Sequence, residues 1–366
     1  MSFFTQYPGI RIATKDDSKK ILDFYDNIPM DTTDVLLQYI REPNFFSFLE
    51  YQGSEVFVFL LENKANQIAA VGTLTIREGY VKGKLVRIGY LSDLRVHLKR
   101  LEKGILRTWK RFYGDLVENS KELPETRCDY LITAIMASNK IAKRSLVNQS
   151  KNSFHYEKLC DYKMINILTS LGNINRSPKF KVRRCHDMSE VLDYLEEKYI
   201  KRQFGFTRKF IQNAIIHWDG LNLSNFIKVE VENKIVGMCA TWNPSSVKKI
   251  IFKRLPMRLK FLNFIASFLT KTPKEGHELE IQYMNFLVVE DDHALGAMID
   301  FLKMEGLFKK FHLLAFADFN HKSYFKDKIG VMCDKTELEL YQVVSKKHMN
   351  EMIKLEDIPG FEISLV

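Results

Sequence analysis

The chain has 366 residues, 46% of them hydrophobic and 12% aromatic, with a formal net charge of +10. That length suits two cores better than one, and that apolar content excludes a disordered chain. The excess of Lys and Arg suits an anionic partner such as a nucleotide, nucleic acid, acidic peptide or membrane surface, and is silent on fold.

The first residues, Met1-Ser2-Phe3-Phe4-Thr5-Gln6, lack a basic region followed by an apolar stretch, so no secretory signal is expected. Ile10–Thr14 reads as a short strand, and Asp16-Asp17-Ser18 can cap a helix from about Lys19 to Asn27. Val56–Leu61 and Ile68–Arg77 read as a hairpin around Glu62–Gln67. Gly79–Lys84 turns into the strand Val86–Val96, and a helix follows over about Lys103–Glu118. Tyr130–Ala137 is the next strand, Asn139–Asn148 a helix, and Lys163–Thr169 an alternating final strand.

The order then repeats. Phe180–Arg184 is a strand, and Asp187-Met188-Ser189 opens a helix. Phe226–Val231 and Ile235–Trp242 form a hairpin. Lys248–Arg254 leads through Pro256 into Met257–Leu269, a basic, apolar segment expected to be helical and to dock on its own protein, with a membrane or nucleic-acid role as the alternative. Leu279–Val289 is a strand, Ala294–Phe308 a helix, Phe311–Ala317 a strand, with a short helix near Asn320 and a closing strand Glu337–Val344. Two copies of one order imply an internal repeat. The polar seam Gly172–Pro178 separates a unit 1–172 from a unit 178–366.

The repeat agrees in shape and disagrees in charge. Tyr90–Val96 and Tyr283–Val289 are both strand-like and both feed an amphipathic helix. The first is followed by the basic loop His97–Gly104, the second by Glu290-Asp291-Asp292-His293. A basic loop with a glycine at a helix start suits phosphate, because the helix N-terminus offers unpaired N–H groups and partial positive charge. An acidic loop repels it. Arg100, Lys103, Arg107 and Lys110 recur at helical spacing on one face, and Leu101, Ile105, Trp109, Phe112 and Leu116 on another. An amphipathic helix with a solvated basic side has the same pattern.

These junctions resemble the GNAT acetyltransferases. Ile10–Asp17 resembles the opening strand and helix start of that family. Leu94-Arg95-Val96-His97-Leu98-Lys99-Arg100, continuing to Lys103-Gly104-Ile105, resembles its strand and phosphate loop. Asn139-Lys140-Ile141-Ala142 resembles its N-x-x-A, and Tyr156-Glu157-Lys158-Leu159-Cys160 its closing Y-E-K-x-G. The chain departs from that pattern in a longer loop, in Leu106 at a small-residue position, in Cys160 for glycine and in a longer Asn139-to-Tyr156 spacing.

The resemblance implies an α+β fold: two tandem GNAT-like domains, each a mixed, mostly antiparallel twisted sheet flanked by helices, the second copy degenerate. It implies a coenzyme A thioester, acetyl-CoA, as co-substrate, bound by Leu94, Arg95, Val96, Lys99, Arg100, Lys103, Gly104, Ile105 and Asn139. It implies an acetyl transfer to the amine of a small molecule or peptide. Asp93 is then the candidate base or amine anchor, or else the ion-pair partner of Arg95, with which strand alternation places it together with Leu91. Tyr156 is the candidate acid for the leaving thiolate, or a packed tyrosine. Asn139 meets the pantetheine arm, caps a helix, or does both.

Two alternatives stay open: a Fem-like transferase using charged tRNA, which the basic charge suits, and a non-catalytic acyl-CoA-binding protein. Cys128, Cys160, Cys185, Cys239 and Cys333 are scattered without C-x-x-C, and the histidines show no metal spacing, so no metal is expected. No apolar run is long enough to span a bilayer, and a cytoplasmic protein is expected.

Overall fold

In a computed structural model of the protein, the described residues are 3–26, 30–31, 36–97, 100, 104–148, 153–170, 174, 179–254, 271–291, 293–325 and 331–366. The first part of the chain gives β1 (Ile10–Ile12), α1 (Ser18–Asp26), β2 (Met30–Asp31), β3 (Leu36–Arg41), α2 (Phe45–Gln52), β4 (Glu55–Glu62), β5 (Ile68–Val81) and β6 (Lys84–Val96). It continues with α3 (Ile105–Glu118), β7 (Tyr130–Met136), α4 (Lys140–Ala142) and β8 (Phe154–Ser170). The second part gives β9 (Lys181–Arg184), α5 (Met188–Tyr199), β10 (Gly205–Phe206), α6 (Arg208–His217), β11 (Phe226–Val231), β12 (Lys234–Trp242) and β13 (Lys248–Arg254). It closes with β14 (Ile281–Val289), the helix Ala294–Met304, β15 (Leu313–Phe319) and β16 (Val331–Ser345).

Among the described residues, thirteen strands form one sheet in the order β1-β4-β5-β6-β7-β16-β8-β15-β14-β12-β11-β9, with β10 added at β5. The order reads the same from both ends: each half brings a first strand, a hairpin, a long strand and a fifth strand. The last strands cross over. β16 pairs with β7, β8 pairs with β15, and β8 and β16 pair with each other at the centre. Neither half completes its sheet without a strand from the other.

Among the described residues, only β6–β7 and β14–β15 run parallel, and both separate after three residue pairs. The first ends at Tyr90↔Ile132 and the second at Tyr283↔Ala315. Past those points, among the described residues, the long strands have no strand on that side. The helix after each long strand packs on the sheet: α3 buries Trp109, Phe112 and Leu116, and the helix Ala294–Met304 buries Leu295, Met298 and Leu302.

Several elements differ from the sequence reading. Lys248–Arg254 is a strand pairing with β3, not the start of a helix, because its β-branched and aromatic residues find an open edge there. Met257–Leu269 lies outside the described residues. The helix expected over Asn139–Asn148 holds one regular turn, then winds as a π-helix over Lys143–Val147. The final strand begins at Phe154, so Tyr156 lies in a strand. The helix expected to run to Phe308 breaks at Gly306, whose φ of 79° only glycine adopts readily. The chain turns at Asn320 rather than forming a helix. β3, α2 and α6 had no counterpart in the sequence reading. In α2, Asn44 caps the first turn by accepting from the amides of Phe46 and Ser47 at 2.9 and 3.1 Å.

Candidate active site

Asp93 sits where β6 bulges. The register of β5 against β6 slips between Val71 and Thr73, so Asp93 and Leu94 together oppose Gly72. Asp93 takes a φ of 51°, the left-handed region that a non-glycine residue enters only when its surroundings hold it there. An extra residue in one strand breaks the alternation of side chains. The expectation that Asp93 shares a face with Leu91 is therefore corrected. Leu91 packs into the core with Trp109 and Phe112. Asp93 and Arg95 turn the other way, toward β3 and α1, where the Arg95 guanidinium lies 4.9 Å from the centre of the Tyr25 ring.

The partner of Asp93 is Arg41, from β3. Arg41 Nη2 donates to both carboxylate oxygens, at 3.1 and 3.2 Å. The pair is mostly buried, with side-chain exposures of 11% and 18%. The Tyr25 hydroxyl donates to Asp93 O at 2.5 Å. Arg41 also stacks on Phe48, its guanidinium carbon 4.2 Å from the ring centre, and Lys248 Nζ lies 4.8 Å from the same centre. Lys248 donates to Val366 O. Burial and the charge of Arg41 lower the Lys248 ammonium to about 7. Arg41 and Lys248 are the residues sequence reading missed. Each comes from a strand it had not recognised, and no local pattern links positions so far apart.

The remaining candidates distribute as follows. Thr133 Oγ1 donates to Leu91 O at 2.7 Å, just where β6 and β7 part. Beyond it, Leu94, Arg95 and Val96 continue along the open edge. Among the described residues, no side chain bonds Leu94 O or Val96 N. The His97 amide donates to Ala69 O at 2.8 Å and anchors the start of the loop. Arg100 turns inward, donating from Nη1 to Ile68 O at 3.1 Å. Lys99 and Lys103 lie outside the described residues. Gly104 heads α3 with a φ of 93° and open space around it, so its dihedral angle rather than crowding calls for glycine. Ile105 packs against the core, and Arg107 and Lys110 are exposed on the first turns of α3.

Asn139 caps α4, its side chain accepting from the Ala142 amide at 2.9 Å. Tyr156 is buried, and its hydroxyl shares a 2.7 Å hydrogen bond with that of Tyr113 on α3. Burial lifts its phenol well above the usual tyrosine range. The structure thus groups Tyr156 with α3 and Asp93 with α1 and β3; it does not bring the two together.

The second copy repeats this geometry and fills it. Phe286, at the position of Asp93, has a φ of 52° in a bulge of the same kind. Its amide donates to Glu362 Oε1 at 2.8 Å. Arg202 Nη1 donates to Leu287 O at 3.2 Å, and the Val289 amide meets the Tyr324 hydroxyl. Leu287 and Val289 are the counterparts of Leu94 and Val96. The acidic loop is also engaged, through Lys198 to Glu290 at 2.7 Å and Lys179 to Asp291 at 3.4 Å. Among the described residues, no group of His, Cys, Asp and Glu gathers as metal ligands, and no helix is long and apolar enough to cross a membrane.

No family model and no curated protein matches the sequence. Solved structures do match the fold. N-myristoyltransferase from Saccharomyces cerevisiae with bound myristoyl-CoA aligns with a TM-score of 0.55 at 11% identity, over 92% of this chain and 79% of that one. The same yeast enzyme with myristoyl-CoA and inhibitors gives 0.55 at 12% identity, over 92% and 80%. A GCN5-related glucosamine N-acetyltransferase region of a fungal multi-domain GH3 β-N-acetylglucosaminidase gives 0.55 at 11% identity, over 91% of this chain and 38% of that longer one. The likeness is one of fold: α+β, with GNAT-like units in tandem.

Proposed function

We propose that this chain, which carries the GNAT-like fold in tandem, is an N-acyltransferase whose first unit (1–172) binds acetyl-CoA and whose second unit (178–366) is a structural copy. One observation carries the reading. In the second copy, Arg202, Tyr324 and Glu362 bond the strand edge past the point of separation, whereas among the described residues no side chain bonds Leu94 O or Val96 N, and that edge leads to a glycine-headed helix. An extended pantetheine can hydrogen-bond such an edge as a strand does, and a diphosphate can accept from the amides at the start of α3. Lys99, Arg100 and Lys103 add positive charge to that loop. The structural neighbours include an enzyme solved with myristoyl-CoA, which favours an acyl-CoA donor.

In the reaction, a neutral amine attacks the thioester carbonyl at the wedge between β6 and β7. The C–N bond forms, the C–S bond breaks, and coenzyme A leaves as a thiolate that takes up a proton. The amine must give up a proton, and Asp93, on the bulge beside the wedge, holds the incoming ammonium and accepts that proton directly or through water. The Arg41 pair keeps Asp93 oriented. Calorimetry with acetyl-CoA tests the loop: Arg100→Glu with Lys103→Glu is expected to abolish binding and Asp291→Ala to leave it unchanged. Full affinity in the double variant refutes the assignment.

A further inference from the structure

The face of β6 that carries Asp93 gathers several basic side chains. Arg41 pairs with Asp93, Arg95 lies beside it over Tyr25, and Lys248 reaches in from β13. Arg41 gives only Nη2 to Asp93. Its Nη1 is buried and has no hydrogen-bond partner among the described residues. Leaving a buried charged donor unsatisfied is costly, and water or a ligand at that place would remove the cost. The Arg41 and Lys248 heads rest on the one Phe48 ring, and burial first, then repulsion from Arg41, lowers the Lys248 ammonium's hold on its proton. An anion between them would satisfy Nη1 and relieve that repulsion. Lys248 and Tyr283 line a small cleft that Asn243 and Glu278 also border.

We infer that the acyl acceptor is an amine that also carries a carboxylate-like anionic group, its anion held by Arg41 Nη1 and Lys248 and its amine by Asp93. The inference rests on the transferase reading above. A planar guanidinium has two terminal nitrogens, so Arg41 can hold Asp93 through Nη2 while Nη1 faces a second anion. The Lys248 ammonium has three donors and gives one to Val366 O, so it has donors left for an anion.

The direct test is calorimetry on the full chain with coenzyme A present, comparing N-acetylglycine with N-methylacetamide, a matched probe without the anion. N-acetylglycine is expected to bind at least tenfold more tightly, and Arg41→Lys and Lys248→Met are each expected to erase most of that difference. Arg41→Lys keeps a cation beside Asp93, and Lys248→Met leaves the Arg41 pair untouched, so one variant survives if the other fails to fold. Equal affinity for the two probes, or a preference indifferent to both substitutions, overturns the inference. Thiol release from acetyl-CoA with glycine against methylamine separates the two levels. Equal rates sink the acceptor assignment alone, whereas failure to bind acetyl-CoA sinks the transferase reading and leaves the probe comparison to judge the anion site.

Discussion

Asp93 and Phe286 occupy the same bulge in the two copies, with φ angles of 51° and 52°, yet one carries a charge paired to Arg41 and the other a ring buried among aromatics. The backbone device has been kept while the side chain has changed its role. In the first copy the bulge aims a carboxylate at α1 and β3. In the second it aims a phenyl ring into a core with Phe206, Trp218 and Phe226.

Removing the Asp93 carboxylate strands Arg41. Asp93→Ala is expected to lower stability by roughly 2–3 kcal/mol, somewhat less than a fully buried pair, because the guanidinium stays behind without its partner. Asp93→Asn keeps the size and an acceptor oxygen. It is expected to fold nearly as stably while losing at least tenfold in turnover with an amine, and to bind acetyl-CoA as the parent does. Denaturant titration, calorimetry and thiol release check the three parts.

Gly104 holds its φ of 93° at the head of α3 with no neighbour to clash, so substitution acts through the backbone alone. Gly104→Ala is expected to destabilise by about 1–2 kcal/mol, the cost of the left-handed region for an L-residue. It should also weaken acetyl-CoA more than it weakens N-acetylglycine. Equal losses for both ligands would mean that Gly104 matters only for folding.

Glu362 gives the fold a pH dependence. Burial lifts its carboxyl from 4.5 to about 8, against the pull of the Phe286 amide and Arg202. A carboxyl raised in the folded state binds its proton more tightly there than in the unfolded chain. Stability is therefore full below about 4.5 and is lost as pH rises toward about 8. Glu362→Gln is expected to flatten that slope, by an amount on the order of a few kcal/mol. Thermal melts from pH 5 to 8 with an unchanged slope would contradict the assignment.

Lys248 has the opposite sign. Its ammonium falls from 10.5 to about 7 on folding, so the unfolded chain binds more protons across that window and stability grows as pH rises through it. Lys248→Met is expected to remove this slope and to stabilise the protein at neutral pH and below. Melts between pH 7 and 10 check it; a variant less stable than the parent at pH 7 would mean the buried ammonium is better compensated than this environment implies.

Much of the architecture was legible because it is written locally. The hairpins at Glu62–Gln67 and Glu232–Lys234, the caps at Asp187 and Gly104, and the matching strands Tyr90–Val96 and Tyr283–Val289 all carry short-range signals. The bulge was not legible, since neither Asp nor Phe announces a positive φ, and missing it put Leu91 on the wrong face. The crossing of β8 and β16 left no trace in either half, because a long-range pairing has no local pattern. The charged site was half legible. Asp93 stood out in an apolar strand, but Arg41 and Lys248 reach it only through β3 and β13, which pair across the chain's two halves.

A crystal structure with acetyl-CoA bound tests the central claim most directly. The diphosphate is expected against the start of α3 at Gly104, with the pantetheine along Leu94–Val96 and the thioester beside the bulge at Asp93. A nucleotide seated at Glu290–His293, or away from both junctions, would contradict the account.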